Sequence, residues 1–433
     1  MNMKVLVIGG GGREHALIWK LRQSPRVDHI WCVPGNGGIS SDAECIAGDP
    51  GGVTALAALA DKLKPDLTVI GPELPLVRGL ADELRKKGFA VIGPSMSAAK
   101  LEGSKIFAKE FMKRHGIPAA ETWGIFDSEA DAYAALCSAD WPVVLKADGL
   151  ASGKGVLVTS SPDEATAFIE RLMEKREFGE AGRRVILEEG LSGEEISYIV
   201  LTDGEHVAPL APARDYKRLR DGDHGPNTGG MGALCAEGWL SKELEDRIQR
   251  DIVRPTIEGL LRDGLPYRGF LYFGLMLTED GPKILEFNCR MGDPETQAIV
   301  MRMEFDLAEV LAQTAAGKLV PAALQWKRGA SACVVMAAEG YPGEPRIGDR
   351  IAGLAEVAAL PGINIFHAGT RREGSDLFTA GGRVLSVGCF DASLDAAVAR
   401  SYAAVEKLSF PGAQYRTDIG KMARPSASGA KRE

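Results

Sequence analysis

The sequence predicts an α/β protein that opens with a doubly wound parallel sheet and continues into a mixed α+β body. Three observations carry this. Apolar runs alternate with helical patterns through roughly the first hundred residues, the pattern of parallel strands joined by crossover helices. Each run ends in a Gly/Pro loop. Beyond that point the texture changes to strands bracketing Gly-rich loops and to longer helices, and from about residue 328 to short β-like runs around one amphipathic helix, which predicts a small mixed α/β segment.

In order, Val5 to Ile8 reads as a buried strand, then the Gly9–Gly12 turn, then a helix from Arg13 to about Gln23. His29 to Val33, Leu67 to Ile70 and Phe89 to Ile92 are further strands, with a helix over Val53 to Lys64. Their loops are Pro34-Gly35-Asn36, Gly71-Pro72-Glu73 and Gly93-Pro94. Ligands of parallel sheets sit at the carboxyl ends of strands, so these loops form a candidate site. Trp141 to Ala147 and Gly155 to Thr159 are strands around a Gly-rich flap, followed by helix 163–175 and strand Arg184 to Glu188. Helices are expected at 241–263, 304–317 and 393–407, and strands at Ala332 to Met336, Asn364 to Ala368 and Val384 to Gly388. The tail 424–433 reads as disordered.

The 433 residues carry a formal net charge of −8, which argues against broad nucleic-acid coating but leaves local cation clusters open. No apolar stretch is long enough to span a bilayer, and no secretory signal opens the chain. Seven widely spaced Cys with no CxxC pair fit reduced thiols in the cytoplasm.

Four devices carry chemistry. Gly9, Gly11 and Gly12 follow a strand and open a helix, a place for an anion. A dinucleotide fingerprint fails, because its third glycine falls on Glu14 and its ribose acid falls on Pro34. Lys146 to Gly155 resembles a P-loop only superficially: the spacing is wrong and a β-branched strand follows, so it reads as a flap over phosphates, with Gly153, Lys154 and Lys146.

In Lys283 to Arg290, alternation puts Glu286, Asn288 and Arg290 on one strand face and Leu285, Phe287 and Cys289 on the core face. A carboxylate and an amide oxygen suit magnesium, and a guanidinium suits a carboxylate or phosphate. The acid-dense turn through Asp293 follows. Finally Gly225 to Gly232 holds four glycines and reads as a loop without regular structure, preceded by Arg214, Asp215, Lys217, Arg218 and Arg220, a cluster suited to an anionic substrate.

These motifs, with Leu101-Glu102-Gly103-Ser104-Lys105, Gly340-Tyr341-Pro342-Gly343 and His367-Ala368-Gly369-Thr370, resemble the phosphoribosylamine–glycine ligase family of the ATP-grasp superfamily from residue 3 to about 420. The resemblance implies a substrate domain at 1–102, an ATP-grasp domain at 103–328 with a lid at about 121–190, and a carboxyl-terminal domain at 329–423. It implies ligation of glycine to 5-phosphoribosylamine, with ATP going to ADP and phosphate through an acyl phosphate, in purine synthesis.

By the same resemblance Lys105, Lys146, Gly153, Lys154, Glu188, Glu189, Leu191 and Glu195 would bind ATP. Glu286 and Asn288 would hold Mg2+ or Mn2+. Gly9, Gly11, Gly12, Asn36, Glu73, Asp215, Lys217, Gly229, Gly230, Met231, Arg290 and Asp293 would hold the other substrates, with Lys146, Arg290 and Asp215 catalytic.

The sequence departs from the family pattern at Gly10, at Arg214 and Tyr216 around Asp215, and at Met291. No acid lies in Tyr272 to Leu275 to add a metal ligand. The nearest rival is another purine-pathway ATP-grasp enzyme, a carboxylase or formyltransferase, and the next a non-catalytic nucleotide-binding protein. A cytoplasmic monomer or weak dimer is expected, with no nucleic acid or membrane partner, transient contact with the upstream amidotransferase, and no fused downstream domain.

Overall fold

The computed structural model describes residues 3–151 and 154–421; Gly153 and the 424–433 tail lie outside the described residues. The amino-terminal sheet has five parallel strands in the order Glu44–Cys45, Val27–Pro34, Met3–Gly9, Leu67–Ile70 and Val91–Ile92. Its central strand is apolar at every position from Val5 to Ile8 because both faces are covered, and all four side chains are fully buried. Truncating Leu6 to Ala would cost about 2–5 kcal/mol.

The helix Gly12–Leu21 leaves this sheet and is buried along nearly its whole length, against the helix Glu295–Arg302 and the strand Ile363–His367. That burial explains why its sequence, Gly-Arg-Glu-His-Ala-Leu-Ile-Trp-Lys-Leu, shows no clean polar face. Its charged members each find a partner inside: Arg13 pairs with Glu14 at 2.6 Å, His15 with Asp42 at 3.0 Å, and Lys20 donates to the Met303 carbonyl at 2.7 Å.

The flap region is a four-stranded antiparallel sheet ordered Thr122–Phe126, Val185–Glu189, Val143–Ala147 and Val156–Thr159. Lys146 pairs with Val156 across the flap, so the hairpin expected around residues 148–155 is present. This sheet has its own core, including Leu136, Leu145, Phe168, Leu172 and Leu187, separate from the larger cores. A lobe with its own core can move as a unit.

The central sheet is antiparallel, ordered Val207–Pro209, Glu194–Thr202, Gly269–Thr278 and Gly281–Asn288. The last sheet is also antiparallel, ordered Arg214–Asp215, Gly232–Ala236, Ala330–Ala337, Arg383–Asp391 and Ile363–His367. Two of its strands therefore come from the middle of the chain.

Three local expectations change. The register of Gly269–Thr278 against Gly281–Asn288 slips between Gly274 and Leu275, so Ile284 and Phe287 both face the core while Leu285 turns half out. Strict alternation fails there because a bulge resets the pleat. The Gly225–Gly232 stretch is not wholly irregular: His224–Asn227 pairs with Arg218–Arg220 in a small hairpin, and Gly232 begins the strand Gly232–Ala236. Two expected helices, 163–175 and 241–263, are interrupted, each passing through a π-helical turn, at Glu170–Glu174 and Gln249–Val253.

Candidate active site

The loops at the carboxyl ends of the parallel strands, the end of Gly281–Asn288, the flap and the Asp215–Met231 segment converge on one cleft. Glu14 organises the first loop. Its carboxylate accepts from the Gly11 N–H at 2.6 Å and from Arg13 Nε at 2.6 Å. A Cβ on Gly9 would lie 2.5 Å from Glu14 Cδ, and one on Gly71 would lie 2.1 Å from Glu14 Oε1. Gly9 has φ of +123°, which favours glycine as well. Sequence reading saw these glycines as room for an anion and missed the acid among them. Gly12 packs on Gln297, where a Cβ would lie 2.5 Å from its Nε2.

Asn36 is fully engaged. Its oxygen accepts from Gly38 and Ile39 N–H groups, both at 2.9 Å, while its amide donates to the Gly10 carbonyl at 3.0 Å and the His367 carbonyl at 2.7 Å. It ties the first loop to the last sheet.

Arg290 lies at the end of Gly281–Asn288 beside Asn288 and Glu286, so the shared face expected for the three exists. Its Nη2 donates to Asn288 Oδ1 at 3.1 Å and pairs with Glu102 at 2.9 Å; Nη1 donates to the Met291 carbonyl at 3.2 Å. Nε faces Glu73 at 3.4 Å as an ion pair and is buried without a directed hydrogen bond. Burial pushes the Glu73 carboxyl up, but Arg290 and Arg13 outweigh it and hold it below its usual value.

Across the cleft, Asp215 Oδ1 is also buried without a partner. Burial, then the nearby Glu295, push its carboxyl well above the usual range. Glu295 accepts from Ser197 Oγ at 2.9 Å. Gly230, with φ of +109°, leaves room for Asp215: a Cβ there would lie 2.6 Å from Oδ1. Gly229 N–H donates to Tyr341 Oη at 2.8 Å, and Met231 is fully buried. Arg383 donates to the Gly229 carbonyl, to the Asp293 carbonyl at 2.6 Å, and pairs with the Asp293 carboxylate at 3.3 Å. Asp293 also accepts from the Arg13 N–H at 3.4 Å and from Gln297 at 2.7 Å.

The cations cluster toward the flap. Lys146 pairs with Glu188 at 2.9 Å, Lys109 pairs with the same carboxylate at 3.1 Å, and Glu188 is fully buried between them. Burial lowers Lys109 to about 8. Lys105 donates to the Gly149 carbonyl at 3.1 Å, and burial lowers its ammonium. Lys154 is exposed on the flap, and Leu191 is half-buried after Glu189, whose carboxylate accepts from the Glu121 N–H at 2.8 Å. Lys217 is bonded to Glu195; burial opposes its charge, but Glu195, Glu286 and Asp215 raise the ammonium above its usual value.

Glu286 is the candidate metal carboxylate. Burial pushes it up, but Lys217, Lys105, Lys146 and Arg290 outweigh that and keep it below the usual value, hence ionised as a ligand must be. Among the described residues no three His, Cys, Asp or Glu side chains come together to hold a metal. One carboxylate and the Asn288 oxygen fit magnesium that takes its remaining ligands from phosphates and water.

A four-stranded antiparallel sheet with its own core, tied to a central antiparallel sheet through Lys146, with lysines around the ionised Glu286, is the arrangement of an ATP-grasp ligase. Three family models match in order: the phosphoribosylglycinamide synthetase N domain at residues 3–102, its ATP-grasp (A) domain at 103–296 and its C domain at 331–422. The chain belongs to the phosphoribosylglycinamide synthetase family. It is 48% identical over 422 residues to the phosphoribosylamine–glycine ligase of Ralstonia nicotianae, covering 97% of this chain and 99% of that one. It is 45% identical over 428 residues to the trifunctional purine biosynthetic protein adenosine-3 of Homo sapiens, which covers 97% of this chain and 42% of that protein. The crystal structure of the Thermotoga maritima phosphoribosylamine–glycine ligase superposes with a TM-score of 0.81 at 34% identity, covering 96% of this chain and 99% of the other. A biotin carboxylase from Campylobacter jejuni, at 17% identity and a TM-score of 0.72 over 96% of this chain and 93% of that one, shares the fold.

Among the acids and bases of this cleft, Glu14, Glu102, Glu295, Tyr341 and Arg383 escaped assignment from sequence. Glu102 sat in a quoted motif of which only Lys105 was taken, and Glu295 sat in the acid-dense turn. Arg383 had no local signal, because its partners are about 90 and 150 residues away in the chain.

Proposed function

We propose that this chain ligates glycine to 5-phosphoribosylamine, with ATP converted to ADP and phosphate, giving glycinamide ribonucleotide. The observation that carries the substrate assignment is a matched pair of unsatisfied groups: Arg290 Nε, a buried donor, and Asp215 Oδ1, a buried acceptor. Buried polar atoms without partners are costly, so their presence in a cleft points to a ligand that completes them. Glycine carries a carboxylate for the first and an ammonium for the second.

The chemistry needs alignment and charge neutralisation rather than a protein nucleophile. The glycine carboxylate oxygen attacks the γ-phosphorus, the bond to the β-γ bridging oxygen breaks, and ADP leaves. The sugar amine then attacks the acyl carbon, phosphate leaves, and the amine proton is lost. Lys105 and Lys146 sit where they neutralise ATP phosphates, and the Gly149–Gly155 flap excludes water. Glu188 is engaged by two lysines, so it contributes to the base-binding hinge with Glu189 and Leu191 through its backbone. Glu195 and Lys217 flank the ribose side. Glu286 and Asn288 would hold the divalent ion, which supplies charge neutralisation at the phosphates when bound; magnesium is the expected ion and manganese the alternative.

Gly9, Gly11, Gly12, Asn36, Glu73 and Asp293 form the sugar-phosphate side, with Asn36 acting by holding the loop. The same reading divides the chain near residues 102 and 328 and treats about 121–190 as the lid. It places the enzyme in the cytoplasm as a monomer or weak dimer, receiving its labile amine by transient contact with the upstream amidotransferase.

The test is ADP release with magnesium and ATP, generating the sugar amine from ribose 5-phosphate and ammonia. Release is expected only with glycine and the sugar amine together. Release with bicarbonate or formate in place of glycine would move the chain to the carboxylating or formylating branch of the same fold.

A further inference from the structure

Glu102 lies in the short helix Lys100–Gly103, one turn ahead of Lys105, and none of the roles above uses it. Its side chain is only 6% exposed. One oxygen accepts from the Cys289 N–H at 2.7 Å, and the other pairs with Arg290 Nη2 at 2.9 Å. A single carboxylate thus grips the backbone and the side chain of consecutive residues at the end of Gly281–Asn288.

The second carboxylate near Arg290 differs in kind. Glu73 is 28% exposed and meets Nε at 3.4 Å without a directed bond. With Nη1 and Nη2 bound to Met291, Asn288 and Glu102, only Nε has no hydrogen bond, and the carboxylate it faces is Glu73.

We propose that Glu102 is the positioning residue for Arg290: it fixes the far edge of the guanidinium and the turn of backbone beneath it, leaving Nε free for the substrate anion while Glu73 yields. This rests on the reading of Arg290 as a substrate-binding group. Only the extended Ser104 separates the helix of Glu102 from the helix that Lys105 opens, so the same clamp bears on the spacing between the ATP-phosphate lysine and the guanidinium. Burial holds the Glu102 carboxyl at about 7 despite Arg290, so the environment tolerates this acid at some cost, as expected where geometry and not stability is served.

The test is a double-mutant cycle on the full-length enzyme: Glu102→Gln, Arg290→Lys and both together, with kcat and KM for glycine, the sugar amine and ATP. Gln keeps an acceptor for Cys289 and removes the charge. E102Q is expected to lower kcat/KM for glycine roughly 100-fold, while KM for ATP stays within about twofold. The double variant should fall no further than Arg290→Lys alone, the mark of residues acting through each other. If E102Q does not fold, Glu102→Met, similar in length and uncharged, enters the same cycle.

Additive losses, an equal rise of all three KM values, or an unchanged E102Q would overturn the proposal. A silent Arg290→Lys would remove the reading of Arg290 and the clamp with it. A large Arg290→Lys loss with additive E102Q would sink the clamp alone.

Discussion

Lys146 Nζ donates to the Leu285 carbonyl at 2.9 Å, joining a strand of the flap sheet to the bulge in the central sheet. That carbonyl belongs to the residue the register slip leaves out of the ladder, and the lysine that reaches it is buried. Lys146→Met removes a cation from the expected phosphate path and unties the two sheets. ATP affinity measured by calorimetry is expected to fall at least about tenfold, the loss of one charge-assisted bond. An unchanged affinity would contradict the flap reading.

Glu188→Gln should act on stability rather than on binding contacts. It leaves Lys109 and Lys146 buried without the carboxylate they share, a change worth up to roughly 3–5 kcal/mol where one partner of a buried pair is lost. Hydrogen exchange in Val143–Ala147 and Val185–Glu189 is expected to accelerate while the amino-terminal sheet stays protected, since the core of the flap sheet is separate. Uniform acceleration across both sheets would contradict that separation.

Asp215 predicts an unusual pH dependence. Its folded-state pKa is raised above the unfolded value near 4, so between those two values the folded state binds more protons than the unfolded one and stability falls as pH rises. Asp215→Asn removes that slope. The variant should melt higher than the parent at neutral pH, by the equivalent of about 1 kcal/mol, and should lose ligation. Melting curves from pH 4 to 8 decide the matter, and a parent-like slope in the variant would rule Asp215 out as its source.

Glu286→Gln keeps the shape of the cleft and removes the carboxylate that three lysines and Arg290 surround. Turnover should fall by at least about 100-fold, with the remaining activity needing far more magnesium. Near-normal turnover at the usual magnesium level would remove Glu286 as a metal ligand.

Asn36→Ala deletes two donors and an acceptor that link the Gly10 carbonyl, the Gly38 and Ile39 N–H groups and the His367 carbonyl. The expected cost is roughly 1–3 kcal/mol from the buried groups left unmatched. KM for the sugar amine should rise and KM for ATP should not. A change confined to ATP would place Asn36 outside the sugar side.

The amino-terminal strands and the flap hairpin were legible because their signals are local: an apolar run, a Gly/Pro loop, a β-branched stretch after glycines. The shared face of Glu286, Asn288 and Arg290 followed from pleat alternation. Leu285 defeated the same rule, because a bulge is set by the partner strand and leaves no mark in its own sequence. Glu14 was read as a failed fingerprint position, although it fills the space that Gly9 and Gly71 leave. Glu102 and Arg383 act on residues far along the chain, and one sequence holds no record of such proximity.

The join between Asn36 and His367 also has a consequence for synthesis. The helix Gly12–Leu21 leaves the ribosome early, but its neighbours Glu295–Arg302 and Ile363–His367 do not exist until most of the chain has been made. His15 Nδ1 waits for the His367 N–H, from which it accepts at 2.8 Å, and the Asn36 amide waits for the His367 carbonyl, to which it donates at 2.7 Å. At roughly 5–20 residues per second the interval between them is tens of seconds. The loop after the strand Met3–Gly9 therefore acquires its final shape only once chain more than 300 residues further on has been made.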